Sequence, residues 1–217
     1  YSEEYEHDPR QFSHKLTILT EVCRTLIFLN QQQPPVCHNN LRAQTILIVE
    51  DDLSVKLINW CSCFKASESA RKIAYVAPEV LKHPNSFSMK SDVYSFGVLM
   101  WELFFMTRPY TPLPALGNDA GSSNNQQCLA GRPTNLFTLG MQVMSGMRPE
   151  IPDLADTASL YTWFHRYHRC SSTSQEVIAE SSLRNYFSVM QRCWDEDPEK
   201  RPTLEQLWAV VDAKFHD

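Results

Sequence analysis

The sequence predicts a mainly α-helical domain that carries one small β-hairpin. Three segments repeat apolar residues at helical spacing, a fourth is apolar on nearly every face, and two short β-branched runs flank an acidic turn. With 217 residues, 43% of them hydrophobic, the chain has the size of one ordinary domain and enough apolar material for a core.

The first helix is predicted over Ser13–Asn30, where Leu16, Leu19, Cys23, Leu26, Ile27 and Asn30 recur at helical spacing. Gln31 to Pro35 ends it, because proline cannot continue a helix and pushes its predecessor to extended geometry. Thr45–Val49 and Ser54–Asn59 read as strands joined through Glu50-Asp51-Asp52-Leu53. Asp51 and Asp52 are read as solvated turn formers rather than a metal pair, since Asp bonds its own backbone in turns. Ser91–Met106 is apolar all round, the mark of a buried pillar rather than a surface helix. Ser182–Trp194, with Leu183, Tyr186, Phe187, Met190 and Cys193, and Thr203–Phe215, with Leu204, Leu207, Trp208 and Val211, are predicted as core-facing helices. Thr203 and Gln206 form a capping-box pattern at the start of the last one.

Two stretches stand between these helices. Residues 111–134, rich in Gly, Ser and Asn, are expected to be a flexible loop. Residues 156–181 crowd Leu160, Tyr161, Trp163, Phe164 and Tyr167 into one helix-like piece, expected to be a docking surface whose partner-binding residues are Tyr161, Trp163, Phe164 and Tyr167. His165, His168 and Cys170 are metal-ligand types, but zinc takes four ligands at paired spacings and no second pair is near; Cys61-Ser62-Cys63 lacks a partner pair too and reads as structural cysteine.

A formal net charge of −5 leaves no basic field to attract nucleic acid or anionic lipid, and no apolar run reaches the roughly 20 residues of a membrane span. Neither nucleic-acid binding nor membrane insertion is therefore expected. Seven cysteines without repeated spacing, and no visible leader, suggest a reduced, cytoplasmic setting. The start at Tyr1 rather than Met suggests a processed chain or a piece of a longer one.

Four ordered blocks carry a family resemblance: Ala77-Pro78-Glu79; Lys90-Ser91-Asp92-Val93-Tyr94-Ser95-Phe96-Gly97 and the following Val98-Leu99-Met100-Trp101-Glu102-Leu103; Arg148-Pro149-Glu150-Ile151-Pro152; and Cys193-Trp194 to Arg201-Pro202-Thr203. Together they resemble the C-terminal lobe of the protein kinase family, closest to its tyrosine-kinase-like group, with Pro34-Pro35-Val36 pointing the same way. The resemblance implies a kinase-like C-terminal lobe with the β-hairpin at the catalytic-loop position, and a catalytic loop at Val36–Leu47 where H-R-D-L-x-x-x-N would stand.

That loop lacks the chemical residues. Phosphoryl transfer uses an Asp to accept the substrate proton, an Asn and a second Asp to hold magnesium, and a Lys on the phosphates. By alignment with the family these positions are Asn40 for the base, Thr45 for the loop's metal ligand and Asn59 for the second Asp, in Asn59-Trp60-Cys61. The loop's Arg is Asn39, so Ser62, Ser67 or Ser69, if phosphorylated, would lack the usual cation. No G-x-G-x-x-G occurs among the six glycines, Lys56 follows the loop rather than preceding it, and only 37 residues precede His38, so the nucleotide-roofing lobe is not expected in this chain.

What the resemblance leaves in place is structural. Glu79 and Arg201 are the family's ion pair, and Asp92 is the carboxylate that takes hydrogen bonds from the backbone around His38 and Asn39. The expectation is a catalytically inactive domain with no cofactor, acting through protein partners or other domains of a larger parent chain. An atypical kinase, or a nucleotide-binding sensor, whose other lobe lies outside this chain remains the alternative.

Overall fold

The computed structural model describes residues 12–49, 54–60, 70–113, 136–168 and 179–213. The described elements run α1 (Phe12–Asn30), a 3₁₀ turn (Ala43–Thr45), β1 (Ile46–Ile48), β2 (Val55–Leu57), α2 (Ala70–Ile73), α3 (Pro78–Lys82), α4 (Met89–Phe105), α5 (Leu136–Met144), α6 (Thr157–Tyr167), α7 (Glu180–Cys193), a 3₁₀ turn (Pro198–Lys200) and α8 (Leu204–Ala213). The fold is mainly helical, with β1 and β2 paired antiparallel in the register Ile46 to Leu57, Leu47 to Lys56 and Ile48 to Val55. Among the described residues no helix is long and apolar enough to cross a membrane. Asp51, Asp52, Cys61, Ser62, Cys63, Ser67, Ser69 and Cys170 lie outside the described residues, as does most of the loop expected at 111–134.

Helix α4 is the pillar. Its start is fixed by a reciprocal cap, Ser91 N–H donating to Ser88 Oγ at 3.3 Å and Ser88 N–H to Ser91 Oγ at 3.0 Å. Every residue from Ser91 to Trp101 is buried, as an all-round apolar helix requires. Gly97 lets α7 approach: a Cβ there would lie 2.6 Å from Cys193 Cβ and 3.1 Å from the Met190 carbonyl oxygen. Tyr186 on α7 pays its buried hydroxyl back by donating to the Met100 carbonyl at 2.7 Å. On the other side α1 packs on α8, where Cys23 Sγ donates to the Leu204 carbonyl at 3.5 Å. The cap of α8 is the Thr203–Gln206 pair, with Gln206 N–H on Thr203 Oγ1 at 3.2 Å and Thr203 N–H on Gln206 Oε1 at 3.0 Å.

The aromatic stretch after Asp156 corrects the docking-surface expectation. Asp156 caps α6 by accepting the Ala158 N–H at 3.0 Å, and the helix turns Trp163 and Phe164 inward, 6% and 2% exposed, while Tyr161 and Tyr167 are half-buried. Phe164 meets Phe12 of α1 edge-on at 5.5 Å between ring centroids, and Trp163 meets Phe105 of α4 at 5.8 Å. The physical reason is spacing: Leu160, Trp163, Phe164 and Tyr167 fall at i, i+3, i+4 and i+7, one helical face, and that much apolar area is worth more in a core than in water. Trp163 and Phe164 are packing residues of the lobe.

Helices α2, α3 and α5 are not predicted from the sequence. Five residues are too few to show a period, and α3 owes its start to Pro78 at its first position, where the missing N–H costs nothing. In α5, Leu139 and Val143 face inward while Phe137 and Met141 are exposed, so the apolar residues lie on both faces and mask the pattern.

The two helical glycines are expected to respond oppositely. Gly97→Ala should lower stability by about 1–3 kcal/mol through the Cys193 clash. Gly140→Ala, whose Cβ would find only Ile73 Cγ2 at 3.9 Å, should be neutral or stabilising. Urea denaturation midpoints of the two variants measure both.

Candidate functional site

The site is the loop from Val36 to Thr45 together with Asn59, hung from the first turn of α4. Asp92, fully buried, accepts His38 N–H on Oδ2 at 2.7 Å and Asn39 N–H on Oδ1 at 2.8 Å. Burial raises its pKa to about 6, opposed by those two backbone bonds. Asn39 makes the turn possible in the left-handed region at φ 61°, which Asn tolerates better than most residues. His38 is buried beneath the loop, its Nδ1 accepting Asn40 N–H at 3.3 Å, which fixes a neutral ring. Burial lowers its pKa to about 4, with the Ile58 backbone carbonyl, which favours a protonated ring, pulling the other way.

Asn40, Thr45 and Asn59 are brought together, the Asn40 Nδ2 and the Thr45 hydroxyl each going to backbone carbonyls. Asn40 Nδ2 donates to the Asn59 carbonyl at 2.9 Å. The buried Thr45 hydroxyl lies 3.0 Å from the Asn40 carbonyl and 2.8 Å from that of Arg42, and accepts Arg42 N–H at 3.2 Å. Asn59 is exposed and left-handed at φ 57°, which turns its carbonyl toward Asn40. Ile58 N–H donates to the Thr45 carbonyl at 2.9 Å, closing the loop onto the hairpin.

A second polar group, absent from the sequence-based expectations, lies alongside. Tyr75 hydroxyl donates to Glu102 Oε2 at 2.5 Å, and burial raises both pKa values. Arg42 and Arg108 act on the same carboxylate, and Lys72 is buried at the edge of the loop. Arg42 escaped notice because it fills a variable position of the loop pattern, and Lys72 because it lies in an otherwise featureless connector.

Glu79 and Arg201 tie the connector to the helices. Arg201 Nη1 donates to Glu79 Oε1 at 2.7 Å and Nη2 to Oε2 at 2.8 Å, a bidentate pair. Its remaining donors go to the Asp195 carbonyl through Nε at 2.8 Å, the Lys90 carbonyl through Nη1 at 2.9 Å and the Glu196 carbonyl through Nη2 at 3.4 Å. The guanidinium also lies over the Tyr94 ring, 5.1 Å from its centroid. The Arg201 side chain is fully buried and that of Glu79 largely so.

Two outcomes are expected. Arg201→Ala strands Glu79 and should cost about 3–5 kcal/mol, against under about 0.5 kcal/mol for Lys82→Ala, whose contact with Glu196 is long and exposed. Chemical denaturation compares them. The second concerns acid. His38, depressed to about 4, contributes stability that is full above its ordinary 6.5 and is lost as pH falls toward 4. Asp92, raised to about 6, contributes most below its ordinary 3.8 and loses it as pH rises through 6. The two slopes oppose between about 4 and 6, so His38→Gln, which removes the rising slope and keeps Asp92, should leave stability falling as pH rises across that window; a denaturation series in pH reads the slope.

Comparison with known proteins places the chain. The family model described as protein tyrosine and serine/threonine kinase matches residues 5–211. Mouse ankyrin repeat and protein kinase domain-containing protein 1 is 26% identical over 210 residues, covering 91% of this chain and 22% of that protein. The inactive tyrosine-protein kinase kin-32 of Caenorhabditis elegans is 26% identical over 91% of this chain and 18% of its own length. Mouse cytoplasmic tyrosine-protein kinase BMX is 26% identical over 91% of this chain and 24% of its own length. The chain thus spans about a fifth of the length of these curated relatives. With its helical pillar, its loop hung on Asp92 and a match running nearly end to end, the chain belongs to the protein kinase family.

Proposed function

We propose that this chain is a catalytically inactive kinase-like domain that works through contacts with protein partners, or with other domains of a larger parent chain, as a scaffold or allosteric subunit in cytoplasmic signalling. The observation that carries the reading is the fate of the three positions that the family uses for chemistry. Asn40, Thr45 and Asn59 offer no carboxylate, and the Asn40 Nδ2 is held by the Asn59 carbonyl. Magnesium takes hard anionic oxygen, and the nearby Asp92 carboxylate is already committed to two backbone N–H groups. A relative named an inactive kinase supports the same reading, and one named a cytoplasmic kinase supports the compartment.

The contact surface that fits this role is not α6. It is the hairpin, where Leu47 and Ile48 on β1 and Trp60 after β2 are 50%, 44% and 52% exposed. Leu47 and Ile48 point to opposite faces of the hairpin, so both of its faces offer exposed apolar area to a partner.

The test is a thermal-shift titration with ATP in the presence and absence of magnesium. No magnesium-dependent stabilisation is expected, whereas a ligand at a hundredfold its Kd would add about 2.7 kcal/mol. Magnesium-dependent stabilisation, or phosphate transfer to any protein substrate, would overturn the inactive reading.

A further inference from the structure

In an antiparallel pair of strands, residues that exchange backbone hydrogen bonds alternate with residues whose N–H and C=O point out of the pair. Ile58 N–H donates to the Thr45 carbonyl and Val49 N–H to the Ser54 carbonyl, both at 2.9 Å. With Leu47 facing Lys56 midway between them, Thr45, Leu47 and Val49 bond toward β2, and Ile46 and Ile48 present their backbone groups outward. Ile46 N–H turns back to the Ala43 carbonyl. The Ile46 carbonyl and both backbone groups of Ile48 have no partner among the described residues, and Ile48 is exposed. On β2 the corresponding Val55 and Leu57 are half-buried, packed against the core beside α1, so the open edge is that of β1. Single edges are ordinarily blunted by proline, a charge or a bulge. Ile46-Leu47-Ile48-Val49 is wholly aliphatic, and its register with β2 is unbroken.

We infer that this edge takes an extended segment of a partner protein as a third, antiparallel strand, apolar at the residues beside Ile46 and Ile48 and acidic at the residue beside Leu47. The backbone specifies three bonds. Ile48 exchanges a pair with one partner residue, and the Ile46 carbonyl takes the N–H of the residue two further on. Antiparallel pairing is the stronger kind, and main-chain bonds of this type supply the affinity of strand addition. The acidic residue follows from Lys56. It lies cross-strand from Leu47 on the same face, exposed, with no anion beside it among the described residues. A strand added at β1 lies two strand spacings, about 10 Å, from β2, a gap that a lysine and a glutamate together bridge over the Leu47 side chain. A second copy of this chain fits less well. Antiparallel pairing of two β1 edges brings like faces together, so it meets Lys56 with another Lys56 rather than a carboxylate. The half-exposed Leu47, Ile48, Val49 and Trp60 also offer on the order of 300 Å², against the roughly 800 Å² per partner that a stable interface buries.

This inference deepens the protein-contact reading by naming the kind of partner, and its test is independent of nucleotide. The isotope-labelled 217-residue chain is titrated with acetyl-Thr-Val-Glu-Val-Thr-amide while its backbone amide signals are followed by NMR. The Ile48 amide should shift saturably and exchange more slowly with solvent, while the Leu47 amide, already paired across to Lys56, keeps its rate. N-methylation of the first Val removes the donor to the Ile48 carbonyl and should weaken binding about tenfold; N-methylation of the Glu, whose N–H points away from the edge, should change it by less than about twofold. Lys in place of that Glu should weaken binding about fivefold, and Lys56→Glu should reverse the preference. The lack of a saturable Ile48 shift up to about 10 mM overturns the inference. So does an equal loss from the two N-methylated peptides, or a preference that Lys56→Glu leaves unreversed. An Ile48 shift that follows the concentration of the chain alone, without response to peptide, would assign the edge to a second copy and overturn it as well. Peptide binding alongside magnesium-dependent stabilisation by ATP would refute the inactive reading and leave the strand pairing standing; neither peptide binding nor ATP stabilisation would strike the pairing alone.

Discussion

Two oxygens of one carboxylate decide where the loop lies. Asp92 sits in the first turn of α4, fully buried, and each of its oxygens takes one backbone N–H, from His38 and from Asn39. Taking a carboxylate out of water costs several kcal/mol, and here two short charge-assisted bonds and the favourable end of the α4 dipole offset part of that cost, burial still raising the pKa. Without the carboxylate, the His38 and Asn39 N–H groups would lose their acceptor together. Everything downstream inherits the placement: the left-handed turn at Asn39, the neutral His38 beneath it, and the Asn40 amide that reaches Asn59.

The pillar that carries Asp92 is held from both ends of the chain. Helix α7 closes on it at Gly97 and through the Tyr186 hydroxyl, while α1 supplies Phe12 to an aromatic group with Phe104 and Phe164. The bidentate contact between Arg201 and Glu79 then ties α3 to the region ahead of α8, and Lys90 answers by donating to the Arg201 carbonyl at 2.7 Å. The kinase-like scaffold is thus kept by groups that do no chemistry.

The long helices are legible in the sequence because burial imposes a period, and the capping pattern at Thr203 and Gln206 places the start of α8 within a residue. The hairpin is legible for the same kind of reason, since β-branched runs flank an acidic turn. Helix α6 is open to the same test, because its aromatic residues carry the spacing that marks the other core helices. Two kinds of feature lie beyond pattern reading. The bond between Asn40 and the Asn59 carbonyl depends on a left-handed backbone at Asn59, which no period reports. The gathering of Arg42, Tyr75 and Glu102 joins three distant segments and is set by tertiary packing alone.

The central claim is that Asn40 serves the fold rather than standing as a damaged catalytic base. In this fold an aspartate at that position would point a carboxylate oxygen at the Asn59 carbonyl, replacing a donor with a repulsion. The stability of Asn40→Asp, measured by urea denaturation beside an assay for magnesium-dependent phosphate transfer, separates the two views. The expected result is a loss of about 1–3 kcal/mol with no transfer. A variant as stable as the parent that gains magnesium-dependent transfer would contradict the account.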